Sequence, residues 1–234
     1  VRWQLAGDEL ATGNPLARMA TGFLAAGVHN ADIAKVRVEQ ERYDELDDLV
    51  NTVGTSLLGL SIGCARCHDH KFDPISQEEY YRFVAIFERT IRGEVNLSTR
   101  DTSGAGVLPV LVAGEGIKPL PRLYNPGPAF FTRTWFLRRG DVKLKDHEVR
   151  PGYLDVLLSA GVTRRDFAVP DDQPAVSGKD RPTLRRSGLA RWMTDTRRGA
   201  GHLLARVIVN RIWQHHFGRG LVNTPNDFGD QGQP

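Results

Sequence analysis

The chain has 234 residues, of which 40% are hydrophobic and 25% charged, the balance of an ordinary globular protein rather than a disordered or collagen-like one. Its formal charge is only +3, from 31 Lys+Arg against 28 Asp+Glu. The densest basic runs, Arg164-Arg165, Arg185-Arg186 and Arg197-Arg198, are isolated pairs beside acids. That argues against a nucleic-acid-binding face, and no apolar run approaches the ~18 residues of a membrane span.

Residues 1–12 hold no initiator Met and no signal peptide and read as the middle of a domain, and Phe228 to Pro234 end in a turn-rich run. A piece of a longer protein is expected. Over residues 1–60, Leu5, Leu10, Leu16, Met19, Phe23 and Leu24 recur at near-helical spacing, broken by the turn Gly13-Asn14-Pro15. The clearest period follows: Leu46, Leu49, Val50, Val53, Leu57 and Leu60 form a stripe that must face a core. Acids at 44, 45, 47 and 48 crowd the first turns, where the helix dipole favours negative charge. This helix is expected to run to Gly63.

Cys64 and Cys67 are the only cysteines, and His68 follows directly. Cys-x-x-Cys-His is the attachment signature of c-type haem. Two thiols three residues apart can reach the two vinyl groups of one haem, which puts His68 under the iron as proximal ligand. Two other chemistries use the same residues. One is a redox or structural disulfide. The other is a zinc site built on Cys64, Cys67 and His68 or His70, although zinc sites usually pair two distant ligand clusters. His70 is a further candidate ligand or hydrogen-bond partner, its alternative role being that of a polar turn residue. Asp69 or Asp73 could accept the Nδ1 proton of a ligating imidazole, and Asp73 before Pro74 reads better as a turn former.

Ser76 to Glu79 is a capping box, with Ile75 and Tyr80 placed as a staple, so a helix starts near Gln77. Glycine, proline, serine and threonine rise from about residue 94. Val107–Val112 and Thr134–Leu137 read as strands, 119–128 as a loop, and 138–182 as mostly irregular with an apolar patch at Tyr153–Leu158. Helices return at about 184–194 and 202–217. In the second, Leu204, Ile208, Ile212 and His215 form one line, which puts His215 on a buried face with His216 at its edge. Both are candidate distal or first-shell ligands, or the base of a polysaccharide hydrolase or lyase; helix-end packing is the plain alternative. Met19 and Met193, the only methionines, read as core.

Three long stretches carry a resemblance. SLLGLSIGCARCHDHKFDPISQEEYYRFVAIF resembles the core of the planctomycete-type cytochrome c-like domain of unknown function. RSGLARWMTDTRRGAGHLLARVIVNRIWQHHFGRGLVNTPNDFGDQG resembles the partner domain that follows it, and WFLRRGDVKLKDHEVRPGYLDVLL resembles that partner's opening segment. Such proteins are typically large and secreted, and often carry a separate cytochrome c domain and a carbohydrate-associated module. The resemblance implies an extracytoplasmic (periplasmic or secreted) place, a redox partner such as another cytochrome c domain of the same polypeptide, and polysaccharide as a candidate partner.

The expected fold is mainly α with a small β element: a cytochrome c-like helical domain at 1–93, a β/loop segment at 94–135, and a partner domain at 136–234. The expected function is that of a c-type haem protein in electron transfer or a haem-dependent redox step, with covalent haem c on Cys64, Cys67 and His68. The alternative is a non-redox secreted module that binds or processes carbohydrate, with Cys-x-x-Cys-His as a structural metal or disulfide clasp.

Overall fold

Asn14 and Pro15 act as their types dictate. The Asn14 side chain accepts from the amides of Leu16 and Ala17, and Pro15 opens the next helix with its φ already set. The computed structural model describes residues 1–99, 106–123, 125–131, 133–168 and 183–233. Its helices are α1 (Arg2–Leu10), α2 (Pro15–Ala20), α3 (Gly22–Ala25), α4 (Val38–Val53), α5 (Gln77–Ile86), α6 (Arg185–Thr194) and α7 (Gly201–Phe217). Its strands are β1 (Ile91–Thr99), β2 (Gly106–Gly114), β3 (Trp135–Leu137) and β4 (Lys145–Glu148). β1 and β2 pair antiparallel in the register Ile91↔Gly114 to Thr99↔Gly106, and β3 pairs antiparallel with β4. The protein is mainly helical with two small sheets.

The stripe on α4 is buried as its period requires: Leu46, Leu49, Val50 and Val53 face the core, and Leu57 and Leu60 join them. The helix does not run to Gly63. It ends at Val53, widens into a π turn at Gly54–Leu58, and stops at Gly59. Gly59 has φ +61, a left-handed conformation that a side chain would strain. The capping box on α5 forms with both of its bonds, from Ser76 to Glu79 and back.

One buried cluster draws on both ends of the chain. Leu5, Val53 and Phe83 share it with Leu137, Tyr153, Trp192 and Val207. Trp192 of α6 stacks on Tyr153 at 5.4 Å between centroids and meets Phe83 of α5 edge-on at 6.1 Å. Arg186 of α6 is fully buried against Asp8 and Glu9 of α1. The boundary expected near residue 93 is therefore crossed by continuous packing, and the two helical portions share a core.

Other expectations shift. Met193 is buried, but Met19 is 43% exposed, because the face of α2 that carries Leu16 and Met19 points to solvent while Ala17 is buried. On α7 the apolar line starts buried at Leu204 and is lost by Ile212, which is 55% exposed; His215 and His216 are exposed with it. The buried positions of α7 end at Asn210, so periodicity overstates the buried length. Strands β1 and β4 were not anticipated, and residues 169–182 of the expected irregular stretch lie outside the described residues.

Candidate functional site

Beyond Gly59 the chain turns through Ser61 into a 3₁₀ helix, Ile62–Arg66, that carries the motif. Ile62 and Ala65 are buried, which forces the intervening positions outward. Cys64 and Cys67 are both exposed, and both are free thiols.

The turn is held from α5. Tyr81 Oη donates to the Arg66 carbonyl at 2.9 Å, and Gln77 Nε2 donates to the same carbonyl at 2.8 Å and to the Leu137 carbonyl at 2.9 Å. The Arg66 guanidinium reaches back to α4, to Asp44 at 2.6 Å and Asp47 at 3.3 Å. Burial works against its charge, but Asp44, Tyr80 and Asp47 outweigh that and hold Arg66 above its ordinary value. Burial also pushes the Tyr81 phenol well up; Arg66 opposes the shift and the neighbouring Cys67 adds to it. On the other side Cys67 Sγ lies where Gly140 comes close: a Cβ on Gly140 would sit 2.8 Å from the sulfur, and its φ is +71. Only glycine lets the turn after β3 approach the thiol this closely.

The two histidines of the motif differ in kind. His68 is exposed, and its Nδ1 lies 2.7 Å from the Asp69 carbonyl. A carbonyl only accepts, so Nδ1 carries the proton and Nε2 is left with a free lone pair. His70 is inward. Its Nδ1 accepts from the amides of Asp73 at 2.8 Å and Phe72 at 3.3 Å, so its proton sits on Nε2, which faces Ser61 Oγ at 3.1 Å. Both of its nitrogens are engaged, and His70 is a tie within the loop rather than a candidate ligand.

The acids also take other roles than those expected. The backbone of Asp69 orients His68, while its carboxylate accepts from the Gln77 amide at 2.7 Å and caps α5. Asp73 is buried and accepts from the Asp230 amide at 2.7 Å. With the bond from the Phe228 amide to the Gly59 carbonyl, also 2.7 Å, this brings the end of the chain onto the motif's loop.

That contact was expected from His215 or His216 instead. The structure makes it with Phe228 to Asp230, and α7 reaches the π turn through Arg211, which donates to the carbonyls of Thr55 and Ser56. His216 Nδ1 bonds the Ile212 carbonyl at 2.8 Å. The run Asn-Asp-Phe-Gly-Asp held a sequence signal for the docking, an apolar Phe228 isolated among turn residues. The structure thus leaves Cys64, Cys67 and His68 exposed at and just after one short 3₁₀ helix. Among the described residues no three His, Cys, Asp or Glu side chains are placed to hold a metal ion by themselves.

No curated protein and no solved structure matches the chain. Two families do. Residues 1–92 match PSCyt2, described as a protein of unknown function (DUF1549). Residues 185–234 match PSD1, described as a protein of unknown function (DUF1553). The first match contains the Cys-x-x-Cys-His turn and the second contains α7 and the segment that docks on the motif's loop. The two segments thus match the pair of families of unknown function that the sequence resembles, PSCyt2 over residues 1–92 and PSD1 over residues 185–234.

Proposed function

We propose that the turn Cys64–His68 attaches a c-type haem and that the protein acts in electron transfer, or a haem-dependent redox step, outside the cytoplasm. The observation that carries this reading is the polarity of His68. Its Nδ1–H is fixed by the Asp69 carbonyl, so Nε2 is left free on an exposed ring that follows two exposed thiols in sequence. That is the second-shell arrangement of a ligating imidazole. Each thiol can add across one vinyl group, sulfur to one carbon and hydrogen to the next, with no net oxidation. Bound there, haem supplies a one-electron iron couple. The protein supplies an anchored turn, held by Tyr81, Gln77 and Arg66, and a His68 ring in a set tautomer. The redox partner in this reading is another haem domain.

The clasp reading has less to explain. His70, Asp69, Gln77 and Tyr81 already tie the loop without either thiol, so a metal or disulfide is not needed to shape it.

Protein made in a host that matures c-type cytochromes is expected to show a Soret band, with sharp α and β bands on reduction. His68→Ala should keep the haem covalently held but shift those bands, because the thioethers remain and an axial ligand is lost. A colourless wild-type protein contradicts the reading.

A further inference from the structure

On the face formed by α5, β4 and the loops after it, an open cleft of about 840 Å³ is lined by Arg82, Arg150, Arg164, Arg165 and Arg185, against only Glu78 and Glu148. This volume is that of a small-molecule site. The ion pairs sort the five cations. Arg82 pairs with Glu78 at 3.0 Å, Arg164 pairs with Asp155, and Arg185 pairs with Glu88. Glu148 is already taken by Arg133 at 2.6 Å. His147 lies 3.1 Å from the second oxygen of Glu78. Every carboxylate at the cleft is therefore spoken for, while Arg150 and Arg165 have no carboxylate partner among the described residues. Both are exposed. His147 lines the cleft, and its ring is backed by Phe136 with a 9° interplanar angle.

We propose that this cleft binds a small organic oxyanion, a phosphate, sulfate or carboxylate carried on a ring, through Arg150 and Arg165. Uncompensated guanidinium groups in one concavity repel each other and focus the field on an incoming anion. Their planar donor forks suit a tetrahedral or planar oxyanion. The His147 ring, backed by Phe136, offers a flat group for the body of the ligand. The cleft does not use Cys64, Cys67 or His68, so the proposal stands apart from haem attachment.

The test is titration calorimetry of the purified protein with phenyl phosphate, phenyl sulfate and benzoate, at low and at high salt. Saturable binding that weakens with salt is expected. Arg150→Gln and Arg165→Gln should each weaken it about tenfold, the order of one charge-assisted pair. The double variant should abolish it, and Arg37→Gln on a different surface should not change it. Because neither residue has a carboxylate partner among the described residues, the variants should melt with the wild type. The ligand that binds tightest identifies the oxyanion. If none of the three binds saturably to the wild type, or if the double variant binds as the wild type does, the proposal is overturned.

Discussion

Replacing Arg186 by Ala is expected to destabilise the protein by about 3–5 kcal/mol, the cost of stripping a buried charge network of one partner. The side chain is fully buried. Its guanidinium bonds Asp8 through both terminal nitrogens, at 2.9 and 2.7 Å, and the Leu5 carbonyl at 3.1 Å. Glu9 Oε1 lies 3.0 Å away, close enough for Coulomb attraction though not aligned for a hydrogen bond. Burial works against the charge of Arg186, but Glu9 and Asp8 outweigh it and hold its pKa above the ordinary value. Burial raises Glu9 from its ordinary value, and Arg186 opposes that.

The sign for Glu9 follows. The folded state holds its proton more tightly than the unfolded one, so its contribution favours folding at acid pH. That contribution is lost as pH rises from about 4.3, the unfolded value, through the raised folded value. Removing Arg186 takes away the opposing cation and extends the loss to higher pH. Urea unfolding of Arg186→Ala should show the deficit, and adding Glu9→Gln should restore part of it. A loss below about 1 kcal/mol would mean that α1 and α6 are not joined through this network.

The second large effect is at Val53. Its side chain is fully buried at the end of α4, where the helix hands over to the π turn that leads to the motif. Val53→Asp places an unpaired carboxylate among Leu46, Leu49 and Phe83 and should cost about 4 kcal/mol. Because Tyr153, Trp192 and Val207 belong to the same cluster, the loss should appear in one cooperative transition reported equally by Tyr80 and Trp192. Two separated transitions would contradict a shared core.

How much of this was legible follows from where the signals are local. The buried stripe from Leu46 to Val53, the turn Gly13-Asn14-Pro15 before a helix and the Ser76–Glu79 box depend on residues close in sequence, and all three lie where the spacing puts them. Strand β4 is Lys-Asp-His-Glu with every side chain exposed, so hydrophobic pattern could not reveal it; only its pairing with β3 makes it a strand. The widening at Gly54 and stop at Gly59 were hidden because Leu57 and Leu60 keep helical spacing through a non-helical turn. At the site, spacing alone identified Cys64, Cys67 and His68. It could not tell the free His68 from the tied His70, since that difference lies in amides and a carbonyl that the loop folds toward each ring. His215 was misplaced because period defines a face but not how far along the helix a neighbour covers it.

The most direct test of the central reading is the intact mass of the denatured protein after expression with a c-type maturation system. The account predicts the sequence mass plus one haem that acid–acetone does not extract, with no thiol left for alkylation. Cys64→Ser and Cys67→Ser together should return the bare mass. A wild-type protein at its sequence mass with two alkylatable thiols, or lighter by two hydrogens through a Cys64–Cys67 disulfide, would contradict haem attachment at this turn.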